Sequence, residues 1–78
     1  WRASWLVDQG MDNTKAASMC KIFATEMAES VCSRAMQIHG ANGYTRDYPL
    51  EKYLRDAKAL PIYEGTNQIQ RIIVSSML

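Results

Sequence analysis

Thr14 to His39 reads TKAASMCKIFATEMAESVCSRAMQIH, 26 residues without a proline or a glycine. Within it Ala16, Cys20, Phe23, Ala24, Met27, Val31, Ala35 and Ile38 recur at steps of three and four. That spacing gathers side chains on one face of an α-helix. At the usual rise the stretch predicts a helix of about 40 Å. Lys15, Lys21, Glu26, Glu29 and Arg34 fall largely off the stripe. Asp12 or Asn13 is suited to start this helix, and Gly40 to end it in the left-handed conformation that follows many helices.

Working outward, residues 1–9 read as the last turns of an earlier helix, with Trp1, Trp5 and Leu6 on one face and Gly10 ending it. After Gly40-Ala41-Asn42-Gly43 the chain runs as a loop to Tyr48, which precedes Pro49 and is held out of the helical region. Pro49 favours the first position of a third helix, with Leu50, Tyr53, Leu54 and Ala57 on one face. Its other face offers Glu51 with Arg55 and Lys52 with Asp56, both at i, i+4; Arg55 and Asp56 also read as a structural charge pair. Pro61 breaks this helix. A last one is expected from near Thr66, with Ile69, Ile72, Ile73 and Met77 inward. No stretch alternates with a period of two, so strands are not expected. The fold class is therefore all-α: an antiparallel helical bundle, in effect part of a four-helix up-down bundle. One long helix, two shorter ones and a stub leave that bundle a helix short. The missing one is expected from further sequence or from a second copy of the chain.

Seventy-eight residues allow one small domain. A net charge of +1, with basic residues spread along the chain, gives no electrostatic case for nucleic acid or an anionic membrane. No apolar run approaches the roughly 20 residues of a membrane span, and no signal peptide is read at Trp1. The chain is expected not to be secreted. Cys20 and Cys32 on one helix would stand about 18 Å apart, beyond disulfide reach, and read as small buried apolar groups. One histidine and no Cys/His spacing of ligand type give no metal site.

One stretch carries candidate chemistry: Ile62-Tyr63-Glu64-Gly65-Thr66-Asn67-Gln68-Ile69-Gln70-Arg71. Gly65 lets the backbone bend and lets another molecule approach, and Thr66 can cap the helix that follows. Glu64 is thereby set on a tight turn at a helix mouth, beside exposed amides. From these residues alone a base and a solvated loop acid are both open, and the second is the simpler reading.

Taken together, several motifs resemble the C-terminal helical domain of acyl-CoA dehydrogenases over nearly the whole chain. They are Lys21-Ile22-Phe23-Ala24, Gln37-Ile38-His39-Gly40-Ala41-Asn42-Gly43-Tyr44, Asp47-Tyr48-Pro49-Leu50-Glu51, Arg55-Asp56-Ala57-Lys58 and Ile62-Tyr63-Glu64-Gly65-Thr66, in order and at family spacing. The resemblance implies that residues 1–78 are one domain of an FAD enzyme whose N-terminal helical and middle β domains lie elsewhere. Such an enzyme, an oxidoreductase acting on CH–CH bonds, oxidises an acyl-CoA to the 2,3-enoyl-CoA. It passes electrons to an electron-transferring flavoprotein and assembles as a homo-oligomer, a dimer or tetramer. A bacterial cytoplasmic or mitochondrial matrix location is expected.

The resemblance makes Glu64 the catalytic base. Removing a proton beside a thioester carbonyl needs a carboxylate, and a desolvated pocket can raise its pKa towards the operating pH. The β-hydrogen leaves as hydride to the flavin. The enolate oxygen is met by the Glu64 backbone N–H and a ribityl hydroxyl of FAD. Gly65 is the substrate-contacting position. Thr66, Asn67 and Gln68 match positions at the FAD, and Gln37, Ile38, His39, Gly40 and Ala41 match a loop reaching the FAD of a neighbouring subunit. For His39 alone, a favourable place at a helix C-terminus is the preferred role. The chain departs from the pattern at Ala41, where glycine is usual, at Pro61, and near Ser76, where some members have arginine. Some members carry the base on an earlier helix; glutamate at 64 argues against that subgroup. The 78 residues alone are expected to be inactive. A helical oligomerisation module that keeps this fold without the chemistry is the alternative.

Overall fold

A computed structural model describes all 78 residues. Four α-helices follow in order, α1 (Arg2–Asp8), α2 (Thr14–His39), α3 (Leu50–Ala59) and α4 (Asn67–Ser76), with a short 3-10 helix over Gly40–Tyr44. There is no strand, as the sequence predicts. The long axis of 47 Å is set by α2.

Backbone chemistry explains where the helices stop. After α1, the Gly10 N–H donates to Val7 O and the Met11 N–H to Leu6 O. With Gly10 at φ +67, this is the paired closure that satisfies the last carbonyls of a helix. Before α2 the Asp12 carboxylate accepts from both the backbone N–H and the hydroxyl of Thr14, which holds it below the usual carboxylate range. Gly40 ends α2 at φ +63. The loop then folds tightly back: a Cβ on Gly43 would lie 2.7 Å from the Met36 carbonyl oxygen. On α3, Lys52 and Asp56 pair at 2.9 Å, and this raises the Lys52 pKa. Glu51 and Arg55 form no ion pair, and Asp56 is committed to Lys52, so the expected Arg55–Asp56 charge pair does not form.

Most of the long stripe is turned away from α3 and α4, while Ala16 and Ala35 are half-buried. α3 runs back along α2, and Lys58 near its end meets Glu29 at 2.9 Å. α4 starts beside Lys21 and Thr25, and Arg71 reaches Glu26 at 2.7 Å. The face of α2 turned to both carries Ser18, Lys21, Ile22, Thr25, Ala28 and Cys32, all buried or half-buried. Phe23, Met27, Val31 and Ile38, expected inward, are exposed, Phe23 at 74% and Ile38 at 85%. Cys20, expected buried, is exposed too. The physical reason is which face meets α3 and α4: that face carries the small Ser18, Thr25, Ala28 and Cys32 beside Lys21 and Ile22, and it lets the two helices approach, so most of the apolar stripe is left outward. α4 differs in the same sense. Ile73 and Val74 are half-buried, while Ile69, Ile72 and Met77 are exposed. Trp1 and Trp5 are exposed, and Leu6 carries the α1 contact. No large side chain is fully buried.

Candidate active site

Glu64 sits in the connection between α3 and α4 and is the only residue other than glycine with a positive φ, at +54. Gly65 follows at +83. Two successive left-handed residues reverse the chain sharply, and for an L-residue this conformation is costly. The turn persists because its ends and its carbonyls are tied. The Asn67 N–H donates to Pro61 O at 3.0 Å, closing the loop on itself. The Gln70 side-chain amide donates to Glu64 O at 3.2 Å, and the Lys21 ammonium to Gly65 O at 2.9 Å. Thr66 caps α4 through its hydroxyl, which accepts from the Ile69 N–H at 3.3 Å, as its position predicts. The backbone amides of Glu64, Gly65 and Thr66 find no acceptor on the chain. With its carbonyls held and its amides open, the turn can present donors to a ligand oxygen beside the Glu64 carboxylate. That carboxylate is exposed, as are Ile62 and Tyr63.

Among the FAD-contact candidates, Thr66 is half-buried at the cap and Gln68 is exposed on the first turn of α4. Asn67 is only 2% exposed. Its side-chain oxygen accepts from Lys21 at 2.7 Å, and its nitrogen donates to Thr25 Oγ1 at 2.9 Å and to Glu26 at 3.4 Å. The Arg71 hydrogen bond, helped by a lesser one from Asn67, holds the Glu26 carboxyl below its usual range against desolvation. Gln37, Ile38, His39, Gly40 and Ala41 are all exposed at the far end of α2. The His39 ring meets Tyr48 edge-on at 6.0 Å, with Nδ1 3.2 Å from Ala35 O. Gln37 lies twelve residues beyond Thr25, about 18 Å along the helix. The two sets are thus kept apart on one chain. Arg55 and Asp56 make no contact with the Glu64 turn through an ion pair or hydrogen bond. Lys21 was legible in the sequence only as a cation off the apolar stripe and as part of a family motif, with nothing there to tie it to the Glu64 turn.

The model of the acyl-CoA dehydrogenase C-terminal domain matches residues 1–78. The chain belongs to the acyl-CoA dehydrogenase family. It is 47% identical over 77 residues to a probable acyl-CoA dehydrogenase, YngJ, of Bacillus subtilis, covering 99% of this chain and 20% of that protein. A chain solved in work on the electron transferring flavoprotein of Acidaminococcus fermentans and flavin-based electron bifurcation superposes with a TM-score of 0.95 at 47% identity. Butyryl-CoA dehydrogenase from Megasphaera elsdenii superposes at 0.94 with 36% identity. Each superposition covers 97% of this chain and 20% of the other. The chain therefore spans about a fifth of the length of the acyl-CoA dehydrogenase family members it matches.

Proposed function

We propose that this chain is the base-carrying domain of an FAD-dependent acyl-CoA dehydrogenase, with Glu64 taking the α-proton of an acyl-CoA thioester as the 2,3-enoyl-CoA forms. One observation carries the reading. The only non-glycine residue in the left-handed region is a glutamate, on a turn whose carbonyls are tied and whose amides are open. Strain of this kind persists where the surroundings enforce it, and it concentrates at working sites. The names of the relatives, an acyl-CoA dehydrogenase and a butyryl-CoA dehydrogenase, support the thioester substrate.

The chain's own residues divide the work as follows. The Glu64 carboxylate accepts the proton, and the Glu64 N–H donates to the thioester oxygen as charge builds there. Gly65 lets the thioester lie against the turn. Exposure of the carboxylate here means that substrate and neighbouring domains must supply the dry surroundings. The residues fit FAD at the edges of two separate sites: Thr66 and Gln68 with the open amides at the start of α4, and the exposed Gln37–Ala41 segment at the end of α2. The family resemblance assigns the second of these to the FAD of a neighbouring subunit. The Ala41 methyl is exposed, so it crowds nothing on its own chain. Asn67 acts in this scheme through Lys21 and Thr25, since its side chain is already engaged. Bound FAD would supply the hydride acceptor. An electron-transferring flavoprotein is the proposed electron partner.

The test is α-hydrogen exchange. In deuterated water the full-length, FAD-loaded protein should wash the α-hydrogens of a saturated acyl-CoA into solvent. The Glu64→Gln variant should keep its FAD absorbance and lose the exchange. Undiminished exchange in that variant sinks the assignment.

The exposed Phe23, Met27, Val31 and Ile38 also favour assembly through α2. The isolated 78-residue chain is expected to sediment as a dimer or larger species and to bind no FAD. A monodisperse monomer at micromolar concentration would contradict this.

A further inference from the structure

Two consecutive left-handed residues need a restraint from outside the loop, and most of the loop's own contacts are local. One is not. Lys21 lies 44 residues upstream of Gly65, on the inward face of α2, and its ammonium donates to two oxygens on either side of Thr66. One is the Gly65 carbonyl at 2.9 Å, the other Asn67 Oδ1 at 2.7 Å. Asn67 returns to α2 by donating to Thr25 Oγ1 at 2.9 Å, and that hydroxyl donates to Lys21 O at 2.7 Å. The result is a closed ring of hydrogen bonds: Lys21 ammonium, Asn67 amide, Thr25 hydroxyl, Lys21 carbonyl. Asn67 is 2% exposed, so the ring is shielded where it meets α4. A bond from a charged donor is among the stronger ones a protein makes. Lys21 is thereby the one residue distant in sequence that bonds the backbone of the turn carrying Glu64.

We infer that Lys21 is a positioning residue for the Glu64 base, fixing the carboxylate by gripping the Gly65 carbonyl and Asn67 from α2. This rests on Glu64 being the base. Fixing the Gly65 carbonyl fixes the peptide plane that follows it, so the Thr66 N–H points away from Lys21, out of the turn. Lys21 touches neither substrate nor flavin in this scheme. Removing it should therefore leave binding alone and slow the step in which Glu64 takes the proton.

The test uses the full-length, FAD-loaded protein with every rate normalised to bound FAD. Lys21→Met is expected to lower kcat and the α-hydrogen exchange rate about tenfold, with KM changed by less than about twofold. In the Glu64→Gln background the same substitution should change nothing further, because a tie that acts through the carboxylate has nothing left to place. A purely structural lysine would lower the yield of FAD-loaded protein and leave the normalised rates intact. Parent-like normalised rates for Lys21→Met, beside a collapse in Glu64→Gln, overturn the positioning role alone. Parent-like rates for Glu64→Gln overturn the base assignment, and the positioning role falls with it. If Lys21→Met does not accumulate, Lys21→Ala, which also removes the donor, is read by the same criteria.

Discussion

In the full-length enzyme, Glu64→Gln is expected to keep FAD and to lose about 10²–10⁴-fold in kcat, the usual contribution of a positioned general base. Glutamine has the shape of glutamate, so the turn, its φ and its ties to Gln70 and Lys21 are retained. What goes is the only group on the loop that can accept a proton from carbon. The backbone N–H stays, so thioester binding and KM should move little. Glu64→Asp gives the gradation. It keeps the charge and draws the carboxylate back by one methylene, and a misplacement of about 1 Å can cost up to roughly 10²-fold. The order parent, Asp, Gln in steady-state rate is the expected result. A glutamine variant within tenfold of the parent would move the base elsewhere.

Gly65→Val is expected to be the second most damaging change. An L-residue in the left-handed region costs roughly 1–2 kcal/mol, and a β-branched one sits at the upper end. Gly65 is at φ +83, and a Cβ there would stand 2.7 Å from Gln70 Nε2. The Gln70 side chain is long enough to swing aside, but it then gives up Glu64 O, a bond worth about 1 kcal/mol net. Together this is about 2–3 kcal/mol of local stability and a re-aimed carboxylate, hence a fall in kcat/KM approaching 10²-fold. Gln70→Ala alone should show only the smaller, hydrogen-bond part. Melting temperature and kcat/KM measured on both variants separate the two contributions. Parent-like values for Gly65→Val would show that the turn tolerates a side chain and that its conformation is not what places Glu64.

The ends of α2 were legible because Asp12-Asn13 and Gly40 punctuate an uninterrupted helical pattern, and of the first pair it is the Asp12 side chain that bonds Thr14. The direction of its faces was not. Spacing shows that Phe23, Met27 and Val31 lie together; it does not show which neighbour they meet. On this chain the neighbours chose Ser18, Thr25, Ala28 and Cys32 instead, because α3 and α4 approach closely over small side chains. The outward Phe23, Met27, Val31 and Ile38 leave one apolar side of α2 uncovered. At the site, the Glu64-Gly65-Thr66 turn and the cap were legible from residue types alone. The grip of Lys21 was not, since it depends on two segments meeting across 44 residues. Nor was the burial of Asn67, which a pattern of polar and apolar residues places on an open first turn.

Glutamate is a poor choice for a φ of +54. Asparagine adopts such a backbone more readily, and glycine adopts it freely. Glu64→Asn is therefore expected to raise the melting temperature, and Glu64→Gly to raise it less, because glycine's gain is offset by about 0.5–1 kcal/mol of extra chain entropy on unfolding. A thermal melt of the three proteins decides it; a lower melting temperature for the asparagine variant would mean that the carboxylate helps hold the turn. If the order holds, the acid is kept there against the preference of the fold. A descendant released from catalysis, or one whose base has moved to an earlier helix, would then drift towards asparagine or glycine at this one position, so that a glutamate kept there marks a chain that still uses it.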